Sequence, residues 1–136
     1  MRGFFRTVAA ITIFVSVASA CKSKAPNHPS GDPFIIRVDS LRVAKTIALG
    51  DTLTCRFWGV IGPDLCYQFL RFGVEEGADR IDLTLWGRHT GDAVCAMALS
   101  ELRGREYHHV PVRRGTFRIF VHQPDGSALK DSVRVE

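Results

Sequence analysis

From Phe34 to the C-terminus the apolar residues recur at every second position, the pattern of half-buried β-strands and not the 3.6-residue repeat of helices. In Thr52-Leu53-Thr54-Cys55-Arg56-Phe57 the residues Leu53, Cys55 and Phe57 share one face, and Ile81, Leu83 and Leu85 do the same in Ile81-Asp82-Leu83-Thr84-Leu85. Phe117, Ile119 and Val121 alternate with Arg118, Phe120 and His122, and Ser132-Val133-Arg134-Val135 closes the chain in the same style. Between these runs lies turn chemistry: Leu49-Gly50-Asp51, Gly62-Pro63-Asp64, Glu76-Gly77-Ala78-Asp79, Thr90-Gly91-Asp92 and Pro124-Asp125-Gly126. Turn signals spaced roughly 10–15 residues apart suit a sandwich or small barrel. The pattern predicts strands near 34–43, 51–58, 66–74, 80–87, 94–102, 106–112, 116–123 and 128–135. Residues 96–102 fit a short helix equally well. No internal repeat is visible, and the expectation is an all-β, antiparallel sandwich of about seven to eight strands.

Two of these segments resemble bacterial immunoglobulin-like domains. Thr46-Ile47-Ala48-Leu49-Gly50-Asp51-Thr52-Leu53-Thr54 is similar to the passage from their first strand into the second. Gly115-Thr116-Phe117-Arg118-Ile119-Phe120-Val121, followed by Pro124-Asp125-Gly126, is similar to their final hairpin. The resemblance implies an immunoglobulin-like β-sandwich over residues 34–136. It transfers no functional residue, because that fold hosts many activities.

The residues before the sandwich have a different character. Met1 to Arg6 carries two arginines and no acid, Thr7 to Val17 is apolar, and Ala18-Ser19-Ala20 supplies small residues before Cys21. This is the plan of a secretory signal, with an apolar run shorter than the ~20 residues a spanning helix needs. The cysteine after the cut resembles the lipobox of bacterial lipoproteins, which implies a diacylglycerol on the Cys21 thiol and a membrane-bound protein. Ala18-x-Ala20 also suits ordinary signal peptidase, which would leave a soluble secreted protein. Lys22 to Pro33 holds three prolines, one glycine and almost no apolar residue, and reads as a semi-rigid tether about 35–40 Å long when extended. The expected organisation is a signal peptide over 1–20, a lipidated cysteine and linker over 21–33, and the sandwich over 34–136. In lipoprotein sorting where Asp after the cysteine means inner-membrane retention, Lys22 favours the outer membrane.

Removing residues 1–20 leaves 116 residues, one domain with a modest core. The leader takes two of the eighteen basic residues and none of the fourteen acids, so the remainder carries only +2. A near-neutral exported chain has no electrostatic footprint for nucleic acid. With Cys21 lipidated, three cysteines stay, enough for one disulfide in an oxidising setting. Cys55 shares inward parity with Leu53 and Phe57 and reads as a small buried hydrophobe. Cys66 and Cys95 each follow a turn. If 66–74, 80–87 and 94–102 run up, down and up, both lie at one rim, within the roughly 7 Å between Cα atoms that a bridge tolerates. Cys66–Cys95 is therefore the expected disulfide, with Cys55–Cys66 as the alternative.

No motif for catalysis is present: no G-x-S-x-G, no H-E-x-x-H and no P-loop. Glu75, Glu76, Asp79 and Asp82 surround a glycine-containing turn, as expected for a solvated hairpin loop; no catalytic residue, cofactor or small-molecule substrate is assigned. His108 and His109 are adjacent and so point to opposite faces of a strand, and His122 could join either of them; two imidazoles with a thiol would suit copper or zinc. No Cys/His spacing suits zinc, and no metal ligand is assigned. Trp58 and Trp86 share parity with polar residues and are each followed by glycine. Exposed aromatics anchor protein or sugar partners, which makes these two the candidate partner-binding residues. Alternatively both fold over the sandwich end, against the loops after Gly59 and Gly87. Arg103, Arg105, Arg113 and Arg114, with Glu101 and Glu106, bracket the two histidines and read as solvated edge charges or as a surface for an anionic group. The function expected is an envelope lipoprotein with a non-catalytic binding or structural role. The alternatives are a small secreted inhibitor of proteases or other envelope enzymes, and copper or zinc binding.

Overall fold

The structure is a computed structural model that describes residues 31–92 and 94–136. The expectations for the signal peptide, for Cys21 and for most of the tether lie outside the described residues. The alternation seen in the sequence becomes alternating burial. In β4 (Leu53–Trp58) Leu53, Cys55 and Phe57 are buried; in β7 (Arg80–His89) Ile81, Leu83 and Leu85 are. β10 (Gly115–His122) contributes Phe117, Ile119 and Val121, and β11 (Ala128–Val135) contributes Val133 and Val135. These side chains form one core, each fully buried Leu, Ile or Phe stabilising by about 1.5–3 kcal/mol.

The core lies between two layers. One sheet runs β1 (Phe34–Ile35), β7, β10, β11, β3 (Thr46–Ile47), with β6 (Tyr67–Glu76) on the other edge of β7. The facing sheet is β2 (Ser40–Arg42), β4, β9 (Arg105–His109). β5 (Val60–Gly62) pairs with β8 (Ser100–Glu101) and carries this second layer onward, the Leu102 and Gly104 amides donating to the Gly59 and Phe57 carbonyls, both at 2.9 Å. The chain is therefore the all-β sandwich that its periodicity predicts.

The described residues form eleven strands where about seven to eight are expected, with β3 and β5 outside the predicted runs, and three further details depart from the expectation. The predicted strand 34–43 is split: Phe34 and Ile35 pair with β7, while β2 pairs with β4. At the crossing the Val38 amide has no strand partner, and the buried Gln123 side chain accepts from it at 3.1 Å through Oε1. Most pairings are antiparallel, but β10 runs parallel to β7 and β3 parallel to β11. The β7–β10 arrangement follows from the 90–114 connection, which crosses to the facing layer, makes β8 and β9, and returns; parallel neighbours need a crossover of this kind. Finally, 94–102 is neither the strand nor the helix weighed for it, except at Ser100–Glu101. Four residues such as Ala96 to Leu99 cannot offset helix nucleation, and the Cys66–Cys95 bond holds the segment against the start of β6.

Candidate functional site

The β6–β7 hairpin builds one rim of the sandwich. Its register places Tyr67 opposite His89, so the first residues of β6 and the last of β7 lie side by side. Cys66 sits just before β6, its carbonyl accepting the Thr90 amide at 2.9 Å and its own amide donating to Asp64 Oδ1 at 2.9 Å. Cys66 is bonded to Cys95, with the Cα atoms 5.5 Å apart. The Leu65 amide adds a second tie, donating to the Ala96 carbonyl at 3.1 Å. The expected disulfide is thus present, although Cys95 reaches it from a loop and not from the start of a third strand.

This bracing holds an apolar loop open to solvent. Val94 is 88 % exposed, Met97 91 % and Leu99 54 %, with Leu65 and Val60 exposed beside them. Beneath the loop four groups of metal-ligand type converge: Asp64, Cys66, His89 and Cys95 place their ligand atoms within 4.8 Å of one another. The His89 ring stands edge-on to Tyr67 with centroids 4.8 Å apart, and its Nδ1 accepts the Gly91 amide at 3.1 Å. Phe34, where the described chain enters its first strand, packs edge-on against the same Tyr67 at 5.8 Å.

The two tryptophans are on opposite outer faces and do not meet. Trp58 projects from the β2–β4–β9 sheet into a shallow groove with Arg42 and Arg56, the Arg42 guanidinium lying 5.2 Å from its ring centre. Its ring lies over Gly104, where an added Cβ would come within 3.2 Å of it. Trp86 projects from the other sheet, its ring over Gly73 and under Arg71, whose guanidinium is 5.3 Å from the ring centre. Each is half-buried against a glycine on a neighbouring stretch of chain.

The histidines also stay apart. His108 sits beside Thr54 Oγ1 (3.1 Å) and Glu106 (3.4 Å), His109 stacks on Phe117 with Glu76 at 3.5 Å, and His122 bonds Asp82 at 3.1 Å across the other sheet. Among the described residues they gather no thiol, since Cys55 is buried in the core, where burial pushes its thiol up to about 12. Glu75, Glu76 and Asp79 are the solvated hairpin expected, with Asp79 paired to Arg118. Asp82 is not part of it: this carboxylate is covered, and the Arg80 guanidinium at 2.7 Å, then His122, hold it below the usual carboxylate range. The arginines of the 103–114 stretch are dispersed, Arg103 to Glu101 at 3.2 Å and Arg105 over Phe69 at 4.3 Å, while Arg113 and Arg114 are exposed.

Asp64 and His89 were not singled out by spacing along the sequence. Hairpin register alone does not find them: counting back from the Gly77 turn sets His89 opposite Gln68, and only the bulge between Phe69 and Arg71 shifts it opposite Tyr67 and hence next to Cys66. No family model, curated protein or solved structure matches the chain, so the rim, its disulfide and its apolar loop are what carry a functional reading.

Proposed function

We propose that this chain is an envelope lipoprotein, anchored through Cys21, whose sandwich is a non-catalytic module that binds a protein partner through the disulfide-braced rim. The observation that carries the reading is the loop at 94–99: two ties fix its backbone while Val94 and Met97 are left almost fully exposed. Apolar side chains held rigidly in water favour association, because the ordering entropy of the loop has already been met in the free protein. Trp58 and Trp86, on separate faces, are secondary contact points. The test is a photo-crosslinking residue at position 97, compared with one at the exposed Ala78 in the turn between β6 and β7, in cells exporting the protein. A discrete adduct from position 97 alone, lost in Val94→Asp, is the expected result. Equal labelling from both positions would overturn the reading.

The same loop supports a second reading, an inhibitor of proteases. Met97 stands at the tip of a tight turn, closed by the Ala98 amide on the Ala96 carbonyl at 2.9 Å, with small residues on both sides and Cys95 tying the backbone close by, so that its side chain is presented to a cleft. Inhibition of a purified serine or cysteine protease, abolished by Met97→Asp, would select it over the partner-binding module.

A further inference from the structure

We propose that reduction of the Cys66–Cys95 bridge converts the rim into a Zn²⁺ site with Asp64, Cys66, His89 and Cys95 as its four ligands. The inference rests on the geometry under the loop and does not depend on which partner the loop meets.

The donor set is one that structural zinc accepts: two thiolates, an imidazole and a carboxylate. With Zn–S bonds of about 2.3 Å, tetrahedral geometry puts two sulfurs roughly 3.8 Å apart. The four ligand atoms already lie within 4.8 Å of one another, so the imidazole and carboxylate need close by only about 1–1.5 Å while the freed sulfurs part by about 2 Å. The surroundings support it. Asp64 Oδ1 is held by the Cys66 amide at 2.9 Å, which orients the carboxylate and leaves Oδ2 for a ligand. Tyr67 fixes the plane of the His89 ring. One bond must yield: the Gly91 amide on Nδ1 keeps the neutral ring protonated at Nε2, and a metal on either nitrogen ends that arrangement.

The chemistry balances with a dithiol as reductant. Two electrons and two protons pass from the dithiol to the Cys66–Cys95 bond, giving the reductant's own disulfide and two cysteine thiols. Zn²⁺ then displaces those two protons to solvent as it binds both thiolates. The loop at 94–99 is consequently pinned in two states, by sulfur–sulfur bond or by metal, and released in the reduced, metal-free one. The rim becomes a redox- and zinc-dependent switch for the exposed apolar loop.

The test uses the full chain carrying Cys21→Ser. Protein reduced with dithiothreitol and desalted anaerobically is titrated with Co²⁺ and then Zn²⁺, reading the thiolate-to-cobalt absorption, with circular dichroism to report the fold. The reduced protein should take up one equivalent of Co²⁺ in a tetrahedral, thiolate-ligated site that Zn²⁺ displaces, and the oxidised protein none. His89→Ala, whose fold is verified in the oxidised form, should weaken binding at least tenfold, and Cys95→Ser should lose about half of the thiolate absorption. The proposal falls if the reduced, folded chain shows no saturable absorption, or if His89→Ala binds as tightly as the parent. It falls equally if the reduced chain is unfolded and Zn²⁺ does not restore it.

Discussion

Cys55 faces the core between Leu53 and Phe57, and its thiol is pushed up to about 12, first by burial and then by the Asp131 carboxylate. A thiol that neither ionises nor meets solvent does not react, so alkylation of the native, oxidised protein should leave Cys55 unmodified until denaturant is added. Cys55→Ser should destabilise by about 1–3 kcal/mol more than Cys55→Ala, because a hydroxyl without a partner is buried in its place. Parity along β4 is enough to read this residue. Asp82 misleads the same reasoning. Its parity is outward, yet Arg80 and His122 fold over it and leave its side chain about 10 % exposed. Parity tells which face a residue takes; it is silent on what long neighbours then cover. Because the folded Asp82 titrates below its unfolded value, its contribution to stability is complete above about pH 4 and fades as pH falls through the lowered folded value. Urea unfolding between pH 6 and pH 2 should show this loss in the parent and a flatter acid limb in Asp82→Asn.

At the level of elements, the β6–β7 hairpin organises the rim. The turn at Gly77 and the alternation beside it predict the hairpin, but its second strand runs past the expected end at residue 87 to His89, and a bulge between Phe69 and Arg71 shifts the register by one before the rim is reached. The loop at 94–99 was not readable in that way. Its alanines, methionine and leucine carry helical propensity, and its conformation is decided by contacts far away in sequence, the bond to Cys66 and the Leu65–Ala96 hydrogen bond. Local preference is weak against such ties. The disulfide spans a sequence separation of 29 residues. On the chain-entropy model, a loop of this size stabilises by about 3–4 kcal/mol through the unfolded state. The double variant Cys66→Ser, Cys95→Ser should lose about that amount in urea unfolding at pH 7, while Met97→Asp, being fully exposed, should change stability by no more than about 0.5 kcal/mol. A disulfide variant as stable as the parent would show that native contacts alone hold the rim.

For the molecule as a whole, the strand alternation conveys two packed layers but not how the strands are ordered within them. The parallel β7–β10 pairing depends on the route of the 90–114 connection through the facing sheet, and no residue along that route announces its direction. What the order does determine is which end carries what. The described chain enters at Phe34, which touches Tyr67, and Tyr67 belongs to the rim that bears the apolar loop. An anchor upstream would therefore attach at the end of the sandwich that bears the apolar loop. If Cys21 carries lipid, the twelve residues from Lys22 to Pro33 separate that rim from the bilayer by at most about 37 Å, and by roughly 19 Å if they behave as a flexible coil. A domain of this size is itself about 26 Å across, taken as twice its radius of gyration. Under the proposed anchoring, an extended tether would leave a partner room between membrane and rim and a coiled one would not, so its length becomes a functional variable. Two outcomes are expected. Cys21→Ser should move the protein from the detergent phase to the soluble fraction or block its processing, since a diacyl anchor holds a protein that a single acyl chain would not. Deleting residues 25–32 from the lipidated chain should leave thermal unfolding unchanged and sharply reduce crosslinking from position 97, because about 12 Å of remaining tether leaves too little space for a folded partner. Unimpaired crosslinking in the deletion variant would place the partner beside the sandwich, away from the membrane gap, and native protein with an unmodified Cys21 by intact mass would remove the anchor altogether.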